Sequence, residues 1–242
     1  MRWGKGMAGG MLAGVALMLA GAAQAGVVVK ASGPSASQYP VGKKLDDSAT
    51  ITLQKGDSVT VLTSKGTKVI SGPGRFTVGV RGESTRSTFV ILTRQNASAR
   101  VRTGAVRSGV NAAAPQNPNL WNVDVTKPGK MCLADSSVVT FWRPDTDVAR
   151  TYVLRSGKSD YLVQIEFPAD EAQAVLGPDK LPLRVNSSYR LSSEEGSAPQ
   201  PIEFVVLDNV PDAPDELAAE LADKGCSTQL TMLSDRLMTS GE

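Results

Sequence analysis

The stretch ATITLQKGDSVTVLTSKGTKVISGPGRFTV, residues 49–78, decides how this chain folds. Ile51 and Leu53 alternate with Thr50, Thr52 and Gln54, and Gly56-Asp57 then makes a turn. A strand resumes over 58–63 with Val59 and Val61 inward. Lys65-Gly66 turns again, and the chain returns over 67–71. Gly72-Pro73-Gly74 is a sharp turn before 75–80, where Phe76, Val78 and Val80 alternate. Period-two alternation broken by Gly-containing turns is the pattern of short β-strands joined tightly. The same grammar predicts a buried strand over 87–93, around Phe89-Val90-Ile91-Leu92. It also predicts one over 99–103, with Arg100 and Arg102 on one face and Arg94 and Arg107 flanking them. These four arginines are the candidate binding stripe. A solvated strand face, or an edge charged to block aggregation, has the same appearance.

Beyond residue 110 the composition changes. Residues 111–119 are small, polar and Pro-containing, as expected of a linker. The second half opens with Leu120-Trp121-Asn122-Val123-Asp124-Val125. Strands are predicted near 137–143, 150–155, 160–167, 187–191 and 202–207. Tyr189, near the start of a late strand, sits where a sandwich places a tyrosine corner. The end of the chain reads as helical. Asp215 is placed to cap a helix carrying Leu217, Ala218, Leu221 and Ala222, and Gly225 stops it. A second helix runs through Gln229, Leu230, Leu233 and Leu237, and both apolar stripes are expected to face the core. The expected fold class is mainly β: a small N-terminal β domain, then an Ig-like β-sandwich with a short C-terminal helical pair. The expected divisions are a signal peptide over 1–25, a basic β domain over 26–110, a linker over 111–119 and an acidic sandwich-like domain over 120–242.

The N-terminus has the layout of an export signal. Arg2 and Lys5 precede an uncharged run over 6–22, and Ala23-Gln24-Ala25 supplies the small-x-small pattern, so cleavage is expected after Ala25. An uncleaved anchor is the alternative, although the run is short and rich in Gly and Ala for a spanning helix. No Cys lies at the cut, so a lipid anchor is not indicated. Cys132 and Cys226 are the two cysteines. Export favours their pairing over two buried thiols, and the closed loop contributes about 4–5 kcal/mol in the chain-entropy description. The expected location is periplasmic or secreted, with a soluble mature chain.

The formal net charge of +2 over 242 residues conceals a division. Residues 26–131 carry 15 basic and 5 acidic side chains, net +10, and residues 132–242 carry 9 and 19, net −10. Either the halves attract and dock, or the basic half faces an anionic envelope surface. Nucleic acid is not an expected partner, because the basic half has few aromatics for base stacking. There is no His anywhere, which removes Ser-His-Asp and Cys-His nucleophile systems and His-ligated metals. No Gly-x-Ser-x-Gly, Ser-x-x-Lys, phosphate loop or Cys-x-x-Cys is present. The carboxylate groups Asp46-Asp47, Asp145/Asp147 and Asp208/Asp212/Asp215 lack the spacing and closing Glu of a calcium loop. No cofactor and no metal are expected.

Leu53-Gln-Lys-Gly56-Asp57-Ser-Val59, Lys65-Gly66-Thr67 and Ser71-Gly72-Pro73-Gly74-Arg-Phe76 together resemble FecR-type periplasmic β-domains. That resemblance implies a β unit in the periplasm, in some members a signalling component. Sigma-regulating members carry a cytoplasmic segment before a membrane helix. Here only residues 1–5 precede the apolar run, so regulation by that route is not expected. The expected function is a non-catalytic envelope protein that binds another envelope protein or an anionic envelope component. The alternatives are a carboxylate-dependent enzyme acting on an envelope polymer, or a structural subunit of a larger assembly.

Overall fold

A computed structural model of the chain describes residues 24–46, 48–79, 86–94, 115–157, 161–177, 179–180, 187–194 and 196–239. The chain is mainly β, with several sheets and a helical pair at its C-terminal end. The expected cut after Ala25 falls within the first strand; residues 1–23 of the expected signal lie outside the described residues.

The first half contains six strands: β1 (Gln24–Ser32), β2 (Lys44–Asp46), β3 (Thr50–Leu53), β4 (Ser58–Thr63), β5 (Gly66–Ser71) and β6 (Gly74–Thr77). Four form an antiparallel sheet in the order β2-β1-β4-β5, and β3 pairs with β6. Alternation sorts the side chains of the larger sheet to two buried faces. Val28, Val59, Val61 and Ile70 pack with Ile51, Leu53 and Val78 of the β3–β6 layer. Val27, Val29 and Leu62 point the other way, toward the C-terminal helices.

The Gly-Asp turn is the fastener of this half. The Asp57 carboxylate accepts the Ser35 N–H at 3.0 Å and the Gln54 N–H, and the Asp57 carbonyl accepts from Gly72 N. The Ser35 bonds, backbone first, hold this carboxyl below its usual range. At Gly33, where φ is +99°, a Cβ would come within 2.5 Å of the same carboxylate. Tyr39 closes the β3 edge, its hydroxyl donating to Thr52 O and accepting from Thr52 N.

Residues 86–94 correct one expectation. The predicted strand over 87–93 is a helix, α1 (Arg86–Thr93). Phe89 and Leu92, three apart, are buried while Val90 and Ile91 are exposed, which is helical rather than period-two burial. The Thr93 hydroxyl bonds back to Phe89 O, four residues earlier. The strand predicted over 99–103 lies outside the described residues.

The second half is an Ig-like sandwich. Its strands are β7 (Val123–Asp124), β8 (Lys130–Leu133), β9 (Val139–Trp142), β10 (Arg150–Ser156), β11 (Leu162–Phe167), β12 (Gln173–Leu176), β13 (Ser188–Ser193) and β14 (Gln200–Val206). One sheet runs β11-β10-β13-β14-β8 and the other β12-β9-β7. The pairs β8–β14 and β7–β9 are parallel and the rest antiparallel. Phe141, Leu154, Ile165, Phe167, Ile202 and Phe204 fill the space between the sheets. Arg143 is also buried there. Its guanidinium donates to the carbonyls of Glu171, Val148 and Pro168 and lies over the Phe167 ring, and burial lowers its pKa.

Two helices end the chain, α2 (Pro214–Lys224) and α3 (Ser227–Thr239). Gly225 ends α2 with φ of +78°, as its position predicts. Asp215 is not the cap. Ala213 holds that position in an extended conformation, Pro214 opens the helix, and the Asp215 side chain is buried with Oδ1 unpartnered. Leu217, Leu221, Leu230 and Leu233 pack against Val27, Val29 and Leu62 of the first half. Lys44 reaches Asp223 at 3.3 Å, and Thr67 donates to Ser234 O. Cys132 on β8 is bonded to Cys226 between the helices, 94 residues away. Among the described residues no helix is long and apolar enough to cross a membrane.

Candidate functional site

Of the four arginines expected to form a binding stripe, only Arg94 lies among the described residues. Arg100, Arg102 and Arg107 fall outside them. Arg94 is exposed just beyond α1, and its carbonyl accepts from Asn119 Nδ2 at 2.9 Å. That bond leads into a different feature. Within the expected linker, Asn117 and Asn119 are buried, and Asn117 lines a cleft of 620 Å³ between α3 and the sandwich.

The cleft is built on amide side chains. Gln229 of α3 is fully buried, and its Oε1 accepts from Cys132 N at 2.7 Å. Its Nε2 donates to Cys132 O and Leu120 O at 2.8 and 2.9 Å. One side chain thus stands where a further strand would pair with the β8 edge. Asn117 and Asn122 exchange bonds, Nδ2 of each meeting an oxygen of the other at 3.1 Å. Asn119 Oδ1 accepts Trp121 N, and Trp121 Nε1 donates to Thr93 O, which ties α1 to the same segment. Arg236 closes the circuit by donating to Asn117 O at 2.7 Å. Burial lowers the pKa of that guanidinium. Among the described residues, no buried side-chain nitrogen or oxygen of this wall lacks a partner, which favours a stiff wall.

Leu120, Met131, Trp142 and Met232 give the cleft an apolar floor, and Asp124, Lys127, Asp235 and Arg236 stand around it. A volume of several hundred Å³ with a mainly apolar lining and a few placed charges suits a small molecule or a partner side chain. The methionines let the floor reshape around an occupant. Asp124 is engaged locally. Its Oδ1 accepts the Thr126 N–H and hydroxyl at 2.9 and 2.6 Å, and its Oδ2 lies 4.0 Å from Lys127 Nζ.

Of the remaining carboxylate groups, Asp145/Asp147 serves a turn. Asp145 Oδ1 accepts Asp147 N, and its Oδ2 lies 3.7 Å from Arg150. Among the described residues no three of His, Cys, Asp and Glu are placed to hold a metal ion. Sequence reasoning pointed to arginines and missed Asn117, Asn119, Asn122 and Gln229. For the three asparagines the available signal was their clustering over 117–122 beside Trp121, a pattern suited to side-chain bonding to nearby backbone; Gln229 had none.

Comparison of the chain with known families, with curated proteins and with solved structures finds no match.

Proposed function

We propose that this chain is a non-catalytic, exported binding module of the bacterial envelope, and that the cleft between α3 and the sandwich holds its partner. One observation carries the reading: a stiff wall of satisfied amides supports an apolar floor under charges of both signs. That combination favours binding of an amphipathic group on an envelope protein. The wall segment also holds the backbone at Arg94. The basic residues Arg94, Arg100, Arg102 and Arg107 then add long-range attraction for an anionic partner or surface.

The disulfide is consistent with an oxidising compartment. Export, cleavage after Ala25 and residence in the periplasm extend that point, together with the FecR-like course of residues 53–78. Cleavage there keeps every β1 rung from Gly26 onward, against both β2 and β4.

The presence of Asp124 and Asp235 in one cleft favours a second reading, a carboxylate-dependent enzyme acting on an envelope polymer. The loop bonds of Asp124 weigh against it, because Oδ1 already accepts two hydrogen bonds from Thr126 and Lys127 stands beside Oδ2.

Crosslinking in intact cells, with neighbours identified by mass spectrometry, tests the proposal. The native chain should capture one dominant protein, and Met232→Trp, which fills the cleft, should lose it. Replacing all four arginines with Ser should make capture weaker and less sensitive to salt. Equal capture by Met232→Trp sinks the cleft as the binding site. Retention on polymer alone, lost in Asp124→Asn, transfers support to the enzyme.

A further inference from the structure

Among the described residues, one edge of the sandwich carries no charged side chain. Strand β12 ends the three-stranded sheet, and among the described residues no strand lies beyond it. A groove of 590 Å³ opens there, between β12 and the terminal strand β11 of the facing sheet. Terminal strands elsewhere carry charges that discourage pairing: Lys44 and Asp46 on β2, Lys68 on β5, Glu166 on β11 and Lys130 on β8. Strand β3 has no charge, but Tyr39 closes it. Strand β12 is Gln173-Ala174-Val175-Leu176, with neither a charge nor a proline, and Val175 is 54% exposed.

The hydrogen-bond phase shows which backbone groups face outward. Arg143 N donates to Ala172 O, while Trp142 O accepts from Val125 N on the opposite side of β9. Alternation along an antiparallel pair then turns Ala172, Ala174 and Leu176 toward β9. The N–H and C=O groups of Gln173 and Val175 point away from the sheet.

We infer that this edge pairs with the same edge of a second copy of the chain, antiparallel about a two-fold axis at Ala174. Gln173 of each copy then exchanges two main-chain bonds with Val175 of the other, four bonds in all. Ala174 meets Ala174 at the close, non-hydrogen-bonded position, where a small side chain fits. Charge selects this occupant. The groove is acidic at its Glu166 and Glu171 end and basic at its Lys180 end. Antiparallel pairing brings the acidic end of one copy to the basic end of the other, with Glu171 opposite Gly177. The two sheets continue as one across an isologous interface. The surface is separate from the cleft at α3, so both can be occupied together.

Sedimentation velocity over a concentration series, on the chain purified from cells, tests the pairing. The native chain should form a reversible dimer. Val175→Pro removes an outward N–H that the β9 ladder does not use, as edge strands tolerate. It should weaken dimerisation by at least about a hundredfold, and its melting temperature should match that of the native chain diluted until it is monomeric. Val175→Lys keeps that N–H but places a charge on the edge, and should act the same way even if the proline variant fails to fold. A native chain that stays monomeric overturns the inference, and so does a dimer as tight in Val175→Lys as in the native chain.

Discussion

At the scale of the residue, buried polar groups set the terms, and each has a different solution. Arg143 satisfies its guanidinium on three backbone carbonyls, and Gln229 spends its amide on a strand edge. Asp215 has the least complete solution. Its side chain is buried with Oδ1 unpartnered, and desolvation raises its pKa above the ordinary 3.8, while backbone bonds at the helix start oppose the rise. The folded state therefore binds this proton more tightly than the unfolded chain does. Stability falls as pH rises from 3.8 through the raised value, and the penalty is complete above it. Asp215→Asn removes the desolvated charge while keeping the oxygen, and should stabilise the protein near neutral pH. The gain should vanish below pH 3.8, where Asp215 is protonated in either state. Thermal melts of both proteins from pH 3 to 8 check this, and a constant difference across the series contradicts it. None of these bonding roles was legible in the sequence, where Asp215 reads as a helix cap and side-chain type alone gives no bonding partner. Asp57 was legible only as a turn; its bonds to Ser35 and Gln54 needed the fold.

At the scale of the element, alternation and turn residues placed most strands well. Strands β3 to β6, β9 to β11, β13 and β14 all lie within or beside predicted segments. The two C-terminal helices and the Gly225 stop are also where their periodicity put them. The error at α1 has a clear source: Phe89-Val90-Ile91-Leu92 is as good a strand as a helix by composition. Packing against α3 decided it, by burying positions three apart. Strands β1, β2, β7, β8 and β12 lie outside the predicted segments, and β7, at two residues, is too brief for a period to register. The disulfide also acts at this scale, pinning the turn between α2 and α3 to β8. Replacing both Cys132 and Cys226 with Ala should cost about 4 kcal/mol, from the released loop of 94-residue separation. The urea midpoint should fall accordingly, and an unchanged midpoint would show that Gln229 and the core suffice.

At the scale of the whole molecule, the two oppositely charged halves meet at a shared core. The helical pair belongs to the acidic half by sequence, yet it packs on the outer face of the β1–β4 sheet. Lys44–Asp223 crosses the same seam, but both partners are half exposed and contribute little. Apolar contact therefore outweighs the charge difference in joining them. Residues 120–242 produced alone should expose Leu217, Leu221 and Leu230, bind a hydrophobic dye and aggregate, while the sandwich core itself persists. Cooperative melting of that fragment at the native temperature, without dye binding, would refute the shared core. By itself the sequence determined the mainly β class, the charge division and the helical end. These are local or compositional properties, carried by alternation, turn residues and side-chain type. Only the tertiary structure decided which helix face meets which sheet, how the amides wall a cleft, and which strands end each sheet among the described residues. Those depend on residues far apart in the chain, such as Gln229 on Cys132 and Val27 on Leu217, and no short-range pattern records such meetings.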